Sequence, residues 1–444
     1  MEELPPEFRK RMRQMLRAEF PAFLSCMSRP SVRGIRLNPL KATRKLLEKS
    51  LGFPLCPSVF SPFSYEIPSD APKPGTIPLH HAGAFYSQEP SAASAVTILN
   101  PRPGEKILDL CAAPGGKSTQ IAGILGGDGL LWSNEVVPGR AKVLLSNLER
   151  LGVKNAVVSS CHPEILCERL SGFFDRVLVD APCSEEGMFR RDRSAVQSWS
   201  VEHVRSCAAR QLLILRSAAR AVRENGILVY STCTFSREEN EETVLAFLKE
   251  HPDFSLEPSG VEFGRPGFDL PRARRIFPMD GGDGHFAARL RRLSPCVCRA
   301  VPFDPPKAGG QKAVQALLEE VFQIPPEEKI VCSGGRLFVP PAGLPELSGL
   351  GVIRAGLLLG EIRTGRVEPA HALFLAAKPG MLRNVLDFPS DSRQIRAFLH
   401  GEELETDSSL KGYAGVAVDG VLTGFGKCSG GRLKNRYPKG LRIY

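Results

Sequence analysis

The chain has 444 residues with 42% hydrophobic and 24% charged residues, and its formal net charge is +10. That length is enough for roughly three domains with ample cores, and no apolar run is long enough for a membrane span. Twelve cysteines show no disulfide or zinc rhythm: Cys296 and Cys298 are the only close pair, and no C-x-x-C occurs, so no metal is expected.

From the start, Met1 to Leu16 is charged and lacks the apolar segment of a secretory leader, which together with the cysteine usage fits a reducing cytoplasm. Phe8 to Phe23 reads as a basic helix and Val32 to Asn38 as a strand. The stretch from Ser28 to Leu47 has no acid but carries Arg29, Arg33, Arg36, Lys41, Arg44 and Lys45. Lys427 to Tyr444 is equally free of acid. Neither cluster adjoins a strongly apolar helical face, so the charge points to nucleic acid rather than to a membrane. The proline-rich region from Pro54 to Pro78 is expected to wind over a surface. Ala92 to Leu99 is a small-residue helix leading to the next segment.

Lys106 to Gln120 reads as a buried strand, a turn at Pro114-Gly115-Gly116 and a helix start. α/β proteins place nucleotide-like ligands at such a turn. The Walker A pattern would need glycine where Cys111 stands, and G-x-G-x-x-G is absent. A short turn preceded by Asp109 suits a nucleoside without a phosphate chain, such as S-adenosylmethionine. Strands then alternate with amphipathic helices: Gly129 to Ser133, Asn155 to Ser159, Arg176 to Asp180 and Ile227 to Tyr230. This argues for a doubly wound parallel sheet. The helix before the last of these is expected to end near Asn225-Gly226, and Ser236 with Glu239 reads as a capping box for the helix that Pro252 stops. Beyond about residue 300, short strands and turns predominate, with helices near Val314 to Phe322 and Pro389 to Leu399. Gly412 to Gly420 is a strand and turn of a compact β module.

Ligands bind beyond the carboxyl ends of such strands. The second strand delivers Glu135, twenty residues past Gly115, spaced to accept ribose hydroxyls. The third delivers Cys161 and His162, the fourth Asp180-Ala-Pro-Cys183, and the fifth Tyr230-Ser-Thr-Cys233. Each of the last two cysteines lies four residues after its strand's final valine, Val179 or Val229. If those strands are neighbours, two thiols emerge at one height. A thiolate beside S-adenosylmethionine can add to carbon 6 of cytosine and make carbon 5 nucleophilic, with a donor near N3 and a proton acceptor needed besides. Asp180 serves at N3 if its carboxyl is protonated or shares a proton with the base, and the base must be unstacked to arrive.

Three segments, residues 109 to 117, 180 to 192 and 231 to 235, resemble the Nop/Sun RNA cytosine-5 methyltransferases, and residues 431 to 442 resemble the PUA-like end of the bacterial RsmF/YebU branch. The resemblance implies a Rossmann-like methyltransferase core at 91–298, a small basic RNA-binding domain at 1–90, an intermediate domain at 299–380 and a PUA-like RNA-binding module at 381–444. It implies Cys233 as nucleophile, Cys183 in product release, and a cofactor site formed by Cys111, Ala112, Ala113, Pro114, Gly115, Gly116, Lys117, Glu135 and Asp180. His162 stands where many members have an aspartate near adenine. Arg190, Arg191, Lys434, Arg436 and Lys439 are expected to face RNA. The expected partner is 16S ribosomal RNA or the small subunit, met by a monomer. Transfer RNA as substrate, or a non-catalytic assembly factor with the same fold, are the alternatives.

Overall fold

In the computed structural model, which describes residues 4–304, 311–364 and 366–443, the short apolar runs become parallel strands. These are β1 (Lys106–Asp109), β2 (Leu130–Asn134), β3 (Ala156–Ser159), β4 (Phe174–Asp180) and β5 (Val222–Thr232). They stand in the order β3-β2-β1-β4-β5. Helices α1 (Gly116–Leu125), α2 (Pro138–Arg150), α3 (Val201–Ala221) and α4 (Glu241–Glu250) connect or flank them. Successive residues of a strand face opposite ways, so the sheet builds two cores. Leu108, Trp132, Val157 and Val177 meet Leu215 of α3 and Val244 of α4 on one face. Ile107, Leu131, Val158 and Leu178 meet Ile121 of α1 and Leu144 of α2 on the other.

The sheet has ten strands and extends beyond this parallel centre at both edges. β6 (Leu270–Ile276) and β7 (His285–Arg292) continue it antiparallel from β5. At the opposite edge β8 (Val352–Ala355), from the intermediate segment, pairs antiparallel with β3 and covers what would be a bare edge. The amino-terminal segment forms a separate four-stranded sheet whose strands include Cys56–Pro57 and Ser64–Glu66, so the proline-rich region contributes strands instead of merely winding. Pro57 is accommodated because its strand is at the edge. This sheet shares one core with the carboxyl-terminal module: Ile35, Leu37 and Phe85 pack in the same cluster as Phe398, Val416 and Leu433.

Two predicted boundaries shift. α3 ends at Ala221, and Asn225 takes a positive φ of 59° within the first part of β5. The capping box does not form: α4 starts at Glu241 behind Asn240, which makes no side-chain cap bond. Ser236 and Glu239 bond inward instead, to Glu186 and to Ser184 and Gln211. The amino-terminal basic cluster is also partly internal. Arg36 is 2% exposed and donates to Thr119 at 2.7 Å, and the Lys41 ammonium donates to the Leu422 carbonyl at 2.8 Å.

One buried ion pair fastens β6 to α4. Arg275 donates to both Glu241 oxygens, at 2.7 and 2.5 Å, and to the Phe235 carbonyl at 2.8 Å, with both side chains almost wholly buried. Removing one partner leaves the other's charge stranded in the interior. Arg275→Met is therefore expected to cost about 3–5 kcal/mol of stability, read by urea unfolding of the full chain; an unchanged midpoint would refute the assignment.

Candidate active site

The strand order reverses direction between β1 and β4, and such a switch point opens a crevice at the strands' carboxyl ends. Into it runs the glycine turn. Gly115 has φ 111°, a conformation that glycine adopts readily, and a Cβ there would come within 3.2 Å of Leu144. Helix α2 holds the turn from outside: Asn147 donates to the Pro114 carbonyl at 2.9 Å and Arg140 to the Ala113 carbonyl at 3.1 Å. Ser118 in α1 donates to Asp109 at 2.7 Å and lies 2.8 Å from Ser133. Burial pushes the Asp109 carboxyl up to about 7 despite the Ser118 hydrogen bond.

Glu135, at the end of β2, is buried and accepts from the Val137 amide at 3.0 Å; its other oxygen is 3.5 Å from Arg140. A carboxylate beside a glycine turn at a switch point fits the sugar and backbone contacts of a nucleoside-type methyl donor. Cys111 sits in the turn, where burial and nearby carboxylates hold its thiol well above the ordinary cysteine value, so it stays neutral. His162 is exposed at the start of the helix Pro163–Arg169.

β4 and β5 are neighbours and parallel, as the cysteine argument requires. The register differs by one residue from the valine alignment: Val179 lies opposite Tyr230, while Asp180 lies opposite Ser231. Counted from the Asp180–Ser231 pair, Cys183 therefore lies three residues on and Cys233 two. The two sulfurs end 3.3 Å apart, both as free thiols. Cys183 is buried and Cys233 half-buried. The hydrogen bond to Cys233 and burial together push the Cys183 thiol well above its ordinary value, so Cys183 keeps its proton.

Lys117, which opens α1, crosses to Asp180 at 2.6 Å. Burial works against its ammonium form, but the charge and hydrogen bond of Asp180 hold it above the ordinary lysine value, and the Cys233 sulfur adds to this. The other Asp180 oxygen accepts from Ser231 at 2.8 Å. Asp180 is thus an ion-paired acceptor, and the proton it shares is that of Lys117. Behind the sulfurs lies a polar layer that motif reading missed. Glu186 accepts from Trp199, Ser236, Thr234 and the Phe235 amide, and Glu239 accepts from the Ser184 amide and Gln211. Gly187 passes under the Cys233 carbonyl, to which its amide donates at 2.8 Å, and a Cβ there would come within 2.6 Å of the Gly284 carbonyl. Glu185, Glu186 and Gly187, two to four residues after Cys183, were the available signal.

The basic residues divide. Arg190 does not face RNA: its side chain is 6% exposed and binds Asp283 at 2.5 Å and the Gly282 carbonyl at 2.8 Å. Arg191 binds the same Asp283 and the Val32 carbonyl. The buried Asp283 carboxylate needs both cations, and that need takes them from the surface. Lys434, Arg436 and Lys439 are exposed on the last strand of the carboxyl-terminal module and the turn after it. Among the described residues no cluster of three His, Cys, Asp or Glu side chains could hold a metal, and no helix is long and apolar enough to cross a membrane.

Comparison with known proteins matches four family models in series. The N-terminal domain of 16S rRNA methyltransferase RsmF covers residues 4–90, and 16S rRNA methyltransferase RsmB/F covers 96–291. The RsmF first C-terminal domain covers 317–376 and the methyltransferase RsmF PUA domain 385–443. Ribosomal RNA small subunit methyltransferase F of Vibrio vulnificus is 30% identical, spanning 99% of this chain and 97% of that protein. The protein of the same name from Enterobacter sp. (strain 638) is 30% identical over 98% and 95%. A crystal structure of a methyltransferase homolog from Pyrococcus horikoshii aligns with TM-score 0.57 at 27% identity, covering 64% of this chain and 94% of that one. NSun6 from the same organism, solved with SFG, shares the fold with TM-score 0.58 at 23% identity, over 65% of this chain and 98% of that one. With full-length relatives, a Rossmann-like core and a PUA-like end, the chain belongs to the RsmF branch of the 16S rRNA methyltransferase RsmB/F family.

Proposed function

We propose that this S-adenosylmethionine-dependent rRNA methyltransferase methylates carbon 5 of cytosine in 16S rRNA through a covalent adduct between Cys233 and carbon 6. The observation that carries the reading is the pair of free sulfurs 3.3 Å apart at the ends of β4 and β5, beside the Lys117–Asp180 ion pair. S-adenosylmethionine, held by residues 111–117, Glu135 and Asp180 with His162 toward the adenine, supplies an electrophilic methyl group when bound. The protein's part is to make a poor nucleophile into a good one.

Cys233, as thiolate, bonds to carbon 6, and the electrons of the 5,6 double bond move to carbon 5 and on toward N3. Lys117, held by Asp180, is the hydrogen-bond donor for N3. Carbon 5 would take the methyl group, the donor's sulfur keeping the electron pair of the broken sulfur–carbon bond, and the hydrogen on carbon 5 leaves as a proton to water. The C–H electrons then restore the double bond and expel the Cys233 thiolate, with Cys183 assisting this departure. The target base is unstacked to enter, and Lys434, Arg436 and Lys439 contact RNA phosphates at a distance from the reaction.

Cys233→Ala is expected to lower methyl transfer to small-subunit RNA by roughly 10⁴-fold or more. Cys183→Ala should leave a protein–RNA adduct that survives denaturing gels. Bisulfite mapping of 16S rRNA and transfer RNA, with and without the protein, should place the new 5-methylcytosine in 16S rRNA; unimpaired transfer by Cys233→Ala, or a mark confined to transfer RNA, would overturn the reading. Lys117→Met should reduce the single-turnover rate by roughly 10²–10³-fold, whereas an unchanged rate would exclude Lys117 as the N3 donor.

A further inference from the structure

Three oxygen–oxygen contacts run in series behind the two sulfurs. Glu239 Oε1 meets Ser184 Oγ, Ser184 Oγ meets Thr234 Oγ1 at 2.9 Å, and Thr234 Oγ1 meets Glu186 Oε2 at 2.8 Å. All four side chains are buried. Each hydrogen bond needs a proton of its own, and a serine and a threonine bring one apiece. With both carboxyls ionised the series is one proton short, and one contact would set two lone pairs face to face away from water. A carboxyl must supply the third proton.

The partners identify which one. Glu186 is met by four donors: Trp199 Nε1 at 2.9 Å and Ser236 Oγ at 2.8 Å on one oxygen, the Phe235 amide at 2.8 Å and Thr234 on the other. Each oxygen already accepts an N–H donor as well as facing a hydroxyl, so Glu186 has no contact that lacks a proton. On Glu239, Oε2 takes the Ser184 amide at 3.0 Å and Gln211 Nε2 at 2.8 Å, while Oε1 meets only the Ser184 hydroxyl. Gln211 cannot present its oxygen there, because the same Nε2 donates to the Pro182 carbonyl at 3.0 Å. Among the described residues no cation bonds to Glu239; the neighbouring Arg11 is held by both oxygens of Glu238, at 2.7 and 2.6 Å. Cys183, Cys207 and Tyr230 are the other titratable neighbours, and all three are held in their neutral forms. Burial, with the Glu186 charge adding to it, pushes the Glu239 carboxyl up to about 7.

We propose that Glu239 is a positioning residue that carries a proton on Oε1 and donates it to Ser184. The completed chain, Glu239 to Ser184 to Thr234 to Glu186, ties the residue after Cys183 to the residue after Cys233 and fixes the separation of the two sulfurs. Its catalytic importance rests on the covalent reading above; the proton itself does not.

Infrared spectra of the full-length protein should show a buried carboxylic-acid C=O band that disappears in Glu239→Gln and persists in Cys233→Ala. Glutamine can replace the O–H donor with an N–H, so Glu239→Gln should keep methyl transfer within about tenfold of the wild type, while Glu239→Ala should lose roughly 10²-fold. A wild-type spectrum without that band, or a Glu239→Gln protein as impaired as Glu239→Ala, would overturn the proposal. If Glu239→Ala fails to fold, the comparison of the wild type with Glu239→Gln decides alone. If Cys233→Ala proves active, the covalent reading falls while the band still judges the proton.

Discussion

Parallel hydrogen bonding between β4 and β5 is the constraint on which the rest of the site depends, because it sets two loops from distant parts of the chain leaving the sheet side by side. Asp180 faces Ser231 as the last pair of those two strands, and short hydrogen bonds link the loops beyond it. The Ala181 amide reaches the Ser231 carbonyl at 2.8 Å, and the Gly187 amide reaches that of Cys233. From outside, the amino-terminal helices Pro6–Leu16 and Phe20–Met27 press a rigid aromatic cluster against these loops: Phe8 packs edge-on to Phe189 and Trp199, and Phe23 edge-on to Phe235. The amino-terminal helices are thus part of the wall that holds the sulfurs in place.

The electrostatics follow the same economy. A buried charge is costly unless it is paired or fully hydrogen-bonded, and the pairs here join elements that sequence separates. Arg275 and Glu241 join β6 to α4, Lys117 and Asp180 join the glycine turn to the cysteine loop, and Arg190 and Arg191 share Asp283. A net charge of +10 therefore overstates what the surface offers to RNA. Arg36, Lys41 and Arg190 serve the interior, whereas Lys434, Arg436 and Lys439 remain available to solvent.

The parallel core was legible because it is written in local patterns. Apolar runs of four or five residues ending at a polar residue or a glycine turn gave β1 to β4, and the cysteine spacing implied that two strand ends meet. What stayed hidden depended on partners. The one-residue offset between Val179 and Val229 comes from the way β4 and β5 pair, which neither segment records alone. Ser236 and Glu239 have the spacing of a helix cap, yet Glu186, Ser184 and Gln211 compete for them and win. Arg190 looks like a surface cation until Asp283, ninety-three residues later, is folded against it. β8 is a short run of ordinary hydropathy whose pairing with β3 no periodicity could announce.

The core shared by the two ends of the chain sets an order of assembly. The strands Gly34–Leu37 and Phe85–Ser87 are synthesised well before the residues that cover them, Phe398, Val416 and Leu433 among them. During translation the growing chain must therefore carry an uncovered greasy surface through more than three hundred residues of elongation, the situation in which chaperones bind and premature association threatens. Contacts of such long sequence separation also make folding slow, so a shortened product lacking its final segment would be a sticky, half-closed shell with its first sheet still unburied.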